Sequence, residues 1–175
     1  MGDFTTTTTV DRPASTIFAF LADPSNLPLW LEAVDGVAFD DTPPRRGARF
    51  QMTRSLPGGR VVNEVELVDF DPEHRVTFES RTGPTPFRYE YRLDPIGHGT
   101  RMTLLGRISA EGLHGPIAHL DSVATRLFKR GMQRNLRTLK HLLTTGIAPT
   151  RGTPPHRESR PIAPHCSRDA GSAAL

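Results

Sequence analysis

The chain's only two tyrosines stand two residues apart, in the run Phe87-Arg88-Tyr89-Glu90-Tyr91-Arg92-Leu93. Residues at that spacing share one face of an extended strand. Tyr89 and Tyr91 therefore point together with Phe87 and Leu93, and the charged residues between them point the other way. A buried phenol needs a partner for its hydroxyl, and a ligand oxygen or a backbone group would serve equally. Asn63 and Ser80 are polar residues on otherwise apolar strand faces. Burying either without a partner costs about 1–3 kcal/mol, so each bonds to the other, to water or to a ligand. Arg54 follows Phe50 and Met52 on one face, near the turn Pro57-Gly58-Gly59. From there its guanidinium either reaches a ligand carboxylate or phenolate at a cavity mouth or turns out to solvent.

Other chemistries find little support. The seven histidines, His74, His98, His114, His119, His141, His156 and His165, are scattered through turns and the C-terminal tail. They form neither a His-x-x-x-His nor a His/carboxylate metal pattern. The lone cysteine, Cys166, excludes an internal disulfide and a cysteine-rich metal site. There is no glycine-rich phosphate loop and no nucleophile elbow. No cofactor, metal or covalent catalysis is expected, and the catalytic residues, if any, are not identified.

The elements that must position these groups can be read from the spacing. Phe4 to Val10 is a run of β-branched residues that reads as a first strand. Asp11 is placed to cap a helix begun just after it, and Pro13 suits a first helical turn. Ile17, Phe18 and Leu21 fall at helical spacing, Asp23-Pro24 ends that helix, and Pro24 to Leu31 reads as a second short one. From Val34 on, turn signals recur at 41–44, 56–59, 69–72, 82–84 and 94–97, with alternating runs between them. This predicts an antiparallel meander with one wet and one buried face, seven strands counting the first. The inward set is Phe50, Met52, Val61, Asn63, Val65, Leu67, Val76, Phe78, Ser80, Phe87, Tyr89, Tyr91, Met102 and Leu104.

Residues 116–145 read as one long amphipathic helix. Ile117, Leu120, Ala124, Leu127, Phe128, Gly131, Asn135, Leu139 and Leu142 form one stripe, and Gly146 supplies the stop. Asn135, alone among apolar neighbours, is expected to satisfy backbone groups of the two short helices. Two short helices, then strands, then a long helix predict an α+β fold in which a curved sheet closes around that helix, with a hollow between.

Composition bounds the function. With 36% hydrophobic residues and a mean hydropathy of −0.40, the chain is ordinary for a soluble protein. No apolar run nears the roughly 20 residues of a membrane span, and the threonine-rich start lacks the features of a signal peptide. A cytoplasmic location is expected. The net charge of +3 is unevenly placed: the tail 146–175 carries +2, the helix 116–145 +5, and the remainder −4. Since nearly all basic residues are arginine, this reflects genome composition more than phosphate binding, and nucleic acid is not an expected partner. Residues 147–175, rich in proline and arginine, hold too few apolar groups to order themselves.

The opening Val10-Asp11-Arg12-Pro13-Ala14-Ser15-Thr16-Ile17-Phe18-Ala19-Phe20-Leu21-Ala22-Asp23-Pro24-Ser25-Asn26-Leu27-Pro28-Leu29-Trp30, the strand meander and the final helix together resemble the START/Bet v 1-like (SRPBCC) superfamily. Within it they are most similar to the polyketide cyclase/dehydrase and lipid-transport group. The resemblance covers residues 3–145, a helix-grip ligand-binding domain, and leaves 146–175 as a disordered tail. It implies a seven-stranded antiparallel sheet gripping the long helix over a deep cavity. It also implies a tryptophan in the helix pair, Trp30, packed at the sheet rim and shaping the cavity entrance.

Three functions compete. The first is a carrier or sensor for a hydrophobic molecule (a lipid, quinone or aromatic polyketide-like compound), bound by Phe78, Phe87, Met52, Met102 and Trp30 and oriented by Tyr89, Tyr91, Asn63, Ser80 or Arg54. The second is a polyketide cyclase or aromatase that folds its substrate and moves protons with Tyr, Ser or Arg. A close cluster of polar groups deep in the cavity would favour it. The third is an interaction module whose basic helix face and tail meet an acidic protein or, peripherally, a membrane. Integral membrane contact is not expected, and the oligomeric state stays open.

Overall fold

The computed structural model of the protein describes residues 2–39, 43–56, 59–80, 82–83, 85–109 and 121–146. The threonine-rich start forms β1 (Gly2–Val10), in which Phe4, Thr6 and Val10 turn inward and Thr5, Thr7 and Thr9 face solvent. Two short helical elements follow: α1 (Ala14–Leu21), then a 3₁₀ turn (Pro24–Asn26) running into α2 (Leu27–Trp30). Then come β2 (Val34–Ala38), β3 (Arg49–Leu56), β4 (Gly59–Asp71), β5 (Arg75–Ser80), β6 (Phe87–Ile96) and β7 (Gly99–Ile108). The long helix is α3 (Asp121–Thr145).

The seven strands make one antiparallel sheet in the order β1-β7-β6-β5-β4-β3-β2. Every neighbour is consecutive in sequence except β1, which pairs along its whole length with β7. The expected inward set is buried throughout, apart from Val61 and Tyr89, which are half-buried. A register shift between Leu67 and Asp69 bends β4.

Local details correct several expectations. Asp11 does not cap α1: Pro13 takes the cap position with no side-chain bond, and its carbonyl accepts from the backbone N–H of Thr16 and Ile17. A carboxylate cap forms one element later, where Asp23 Oδ1 accepts from Ser25 N at 2.9 Å. On α3 the buried side chains are Met132, Leu136, Leu139 and Leu143, with Phe128 and Leu142 partly covered. The stripe is thus rotated from the one drawn through Gly131, Asn135 and Leu142. Asn135 lies at its edge, where its Oδ1 accepts from Glu32 N just beyond α2 at 3.2 Å, as a polar residue in that position requires.

The C-terminal end of α3 is held from the other end of the chain. Arg12 donates from Nε to Leu143 O at 2.9 Å and from Nη2 to Thr144 O at 3.0 Å, meeting carbonyls that no helical N–H can reach. Thr100 Oγ1 donates to Arg12 O at 2.8 Å, which fixes the arginine to β7. Gly146 adopts φ +70, the left-handed stop that a glycine permits. The expected helical residues 116–120 and the tail 147–175 lie outside the described residues.

Candidate functional site

The inner face of the sheet carries a chain of edge-to-face rings. Trp30 meets Tyr91 at 5.9 Å between centroids, Tyr91 meets Phe78 at 6.2 Å, Phe78 meets Phe50 at 6.1 Å, and Phe50 meets Phe39 at 6.1 Å. Such pairs add to the large area that each ring buries. The register brings them together by setting Phe78 beside Leu67 on one side and Tyr89 on the other, with Tyr91 next to Val76 and Leu104.

At the α2 end these rings pack close together. Leu27 and Leu31, at the α2 end, face Phe50, Met52, Val65, Phe78, Phe87, Tyr89 and Tyr91 across a space of only about 20 Å³. That admits a single water and nothing larger. This is the space the described side chains leave at the α2 end of the sheet. Met102 is fully buried on β7 opposite Leu93 and does not border this space.

Trp30 is buried against the sheet. At 2% exposed it packs on Tyr91 of β6, while its helix α2 also packs against the edge strand β2. Its indole Nε1–H is buried with no acceptor among the described residues, a donor left open inside the core.

At the hairpin end of the same face lies a polar cluster. Arg54 is 8% exposed. It donates to Asn63 Oδ1 from Nε at 3.0 Å and from Nη2 at 2.6 Å, and Nη2 also meets Thr85 Oγ1 at 2.6 Å. Asn63 passes the network on, its Nδ2 donating to Ser80 Oγ at 3.1 Å and Thr82 O at 2.7 Å, while Ser80 Oγ donates to Thr82 O at 2.9 Å. The open alternatives for Asn63 and Ser80 thus resolve towards each other. Both amide hydrogens and the amide oxygen of Asn63 are engaged within the protein.

The 82–83 loop can lie on Asn63 because Gly83 has φ +93 and no side chain; a Cβ there would run into the Asn63 amide nitrogen. Thr85 was not among the sequence candidates. The signal available was its place between Pro84 and Pro86, which favours an extended backbone there.

The cluster is electrostatically unusual. Every hydrogen-bond acceptor around Arg54 is neutral, and Arg54 Nη1 donates to none of the described residues. Its cationic form is disfavoured by burial, and its pKa is lowered accordingly. The guanidinium carbon lies 5.3 Å from the centre of the Phe87 ring, a cation–π contact, and Phe87 stacks on Tyr89 with centroids 4.6 Å apart. Burial pushes the Tyr89 phenol up to about 12 even against the pull of Arg54, and pushes Tyr91 well up too. Both are neutral hydrogen-bond donors at pH 7 and poor bases.

The buried polar residues of the described chain include no carboxylate and no imidazole. His74, His98 and His141 are exposed; the other four histidines lie outside the described residues. Among the described residues no three His, Cys, Asp or Glu side chains gather as a metal site needs, and no helix is long and apolar enough to cross a membrane.

A seven-stranded antiparallel sheet closed on a C-terminal helix, with two short helices after the first strand, defines the helix-grip class of START-like proteins. The chain belongs to the polyketide cyclase / dehydrase and lipid transport family, whose model matches residues 1–144. Its fold is similar to that of TTHA0849 from Thermus thermophilus (TM-score 0.67, 20% identity, 83% of this chain and 99% of that one). It is similar also to a START superfamily protein from Mycobacterium smegmatis (0.67, 13%, 83% and 99%). A third similar structure is the di-domain ARO/CYC BexL of the BE-7585A biosynthetic pathway (0.65, 19%, 85% of this chain and 48% of that one). No curated protein sequence matches the chain.

Proposed function

We propose that the protein is a carrier or sensor that binds one hydrophobic small molecule with a polar end. The apolar body would lie between the inner sheet face and α3, with the polar end towards Arg54. The observation that carries this reading is the buried Arg54 guanidinium, whose hydrogen-bond partners among the described residues are all neutral and which sits beside the stacked Phe87 and Tyr89. A buried cation without a counter-charge is costly, and an incoming carboxylate, phenolate or enolate would supply one. The apolar part would contribute roughly 25 cal/mol per Å² buried.

Because the space beside α2 is small, such a ligand works by displacing rings: the Phe50–Phe78–Tyr91 chain is what must repack. Asn63, Ser80 and Thr85 hold Arg54, and Met52, Phe78, Phe87, Tyr89 and Tyr91 form the wall. Residues 3–145 form the binding unit in this reading, acting in the cytoplasm, and 146–175 form a tail outside it.

Cyclisation of a poly-β-keto chain is the second reading. It is favoured by the closeness of Arg54, Asn63, Ser80 and Thr85, and by a Tyr89 phenol kept protonated near a cation. The absence of a buried carboxylate or imidazole among the described residues leaves no evident base, so binding is preferred.

The sole tryptophan, Trp30, gives a direct test. A long-chain fatty acid and the matching alcohol are titrated into the protein while Trp30 fluorescence is followed. Saturable binding is expected, tighter for the acid, with the difference removed in Arg54→Met. No saturable change with either probe, together with native mass spectra showing no bound compound from the host, would overturn the proposal. Turnover of a linear poly-β-ketone would replace it with the second reading.

A further inference from the structure

Most arginines on the outer face of the sheet are matched by carboxylates. Arg49 meets Glu64 and Glu66, Arg88 meets Glu79 at 2.6 Å, Arg92 meets Glu90 at 2.6 Å, and Arg107 meets Asp3 at 3.1 Å. The outer face of α3 is built differently. Arg126, Lys129, Arg130, Arg134, Arg137 and Lys140 stand on it, and the helix 121–145 holds a single acidic residue, Asp121. At about 100° per residue these six fall within about 140° of arc, centred about 120° round the helix from the buried Met132, Leu136, Leu139 and Leu143; Lys129, at the edge nearest Leu136, is half-buried. They extend over about 21 Å of helix. Only Arg134 has a carboxylate partner among the described residues, Glu32 at 2.9 Å.

Arg126, Arg130, Arg137 and Lys140 are exposed. The residues beyond the helix do not neutralise this row by composition, because 146–175 is itself +2.

We infer that the outer face of α3 docks the protein peripherally on an anionic lipid surface. The row has the charge for this and lacks what the alternatives need. It contains no aromatic side chain on which a base could stack, and no aromatic or methionine anchor of the sort that centres a protein interface. A lipid surface asks only for a row of unneutralised cations, each worth about 1 kcal/mol near anionic headgroups. The apolar side of α3 is committed to the core, so the helix lies on the surface and does not insert. Leu29 of α2, an exposed large apolar side chain on an element packed against α3, is available for shallow contact. The inference stands on the helix and does not depend on what fills the interior.

The test is co-sedimentation of the full chain with phosphatidylcholine vesicles, with and without about a third phosphatidylserine. Parallel titrations use a short DNA duplex and polyglutamate. Binding to the anionic vesicles alone is expected, lost at high salt, and weakened about 100-fold by the triple exchange Arg130→Gln, Arg137→Gln, Lys140→Gln. These three are exposed, so an unchanged melting temperature separates lost docking from lost fold. A control exchanging Arg151, Arg157 and Arg160 for Gln should change binding by less than the helix triple. No vesicle binding at low salt, equal binding to neutral vesicles, an unaffected helix triple, or tighter binding to DNA or polyglutamate would each overturn the inference.

Discussion

Arg54 holds Asn63 Oδ1 with two of its nitrogens, Nε at 3.0 Å and Nη2 at 2.6 Å, so a cation on β3 is secured inside the sheet by a neutral amide on β4. Their backbones are not directly opposite, since Arg54 pairs with Val61 and Asn63 with Met52. The contact is therefore diagonal, within reach of a long side chain. Asn63 in turn ties the pair to Ser80 and Thr82, and Thr85 Oγ1 meets Arg54 Nη2.

Removing one member should leave the other stranded. Asn63→Leu is expected to destabilise the fold by about 3 kcal/mol, because it strips a buried charge of its main acceptor. Arg54→Met removes the charge itself and should cost less. In a double-mutant cycle followed by urea unfolding, the coupling should reach about 1–3 kcal/mol. A coupling near zero would show that the two side chains do not depend on each other.

Gly83 makes the same point through the backbone. Its φ is +93, and the space a Cβ would take is occupied by the Asn63 amide. Gly83→Ala should cost about 2–3 kcal/mol from strain and collision together. Gly97 also has positive φ, +55, but opens on empty space, so Gly97→Ala should cost only about 1 kcal/mol. Equal losses at the two sites in thermal melts would argue against the contact with Asn63.

Much of this architecture was legible in the residues. The run Phe87 to Leu93 alternates so strictly that its inner face could be read directly, and the turn signals separated the strands that the structure contains. Asn63, Ser80 and Arg54 were recognisable as misfits on apolar faces. That they meet was not, because strand register and the side-chain reach from β3 to the β5–β6 loop are not written in any one strand. Thr85 escaped notice for the same reason. The ring contacts were equally hidden: that Phe50, Phe78, Tyr91 and Trp30 meet edge to edge depends on how tightly the sheet curves. The phase of α3 is not legible from a stripe drawn through Gly131 and Asn135, because Met132 and Leu136 carry the buried apolar area.

The two tyrosines allow a prediction with pH. Tyr89 is raised from 10.0 to about 12 and Tyr91 is raised well above 10.0, burial being the first cause for both. A phenol that holds its proton more tightly folded than unfolded contributes stability that is fully present below about pH 10. That stability is lost as pH climbs from there towards about 12 for Tyr89. With no other tyrosine in the chain, the phenolate absorbance should stay low through pH 10 in the native protein and rise together with unfolding. Titration of either phenol near pH 10 in folded protein would place it in water.

The grip of Arg12 on the end of α3 sets how firmly the helix closes on the sheet. Its bonds to Leu143 O and Thr144 O, at 2.9 and 3.0 Å, are charge-assisted but partly exposed, so Arg12→Leu should cost about 1–2 kcal/mol. The loss should be local. Amide exchange in the last turn of α3 should quicken in Arg12→Leu while the amides of β5 and β6 keep their protection, since those strands are held by their own ladder. Arg12→Lys restores a charge near the helix end but not the two-nitrogen geometry, and should fall between. A uniform increase in exchange across the sheet would mean that Arg12 supports the whole fold and not the seat of the helix.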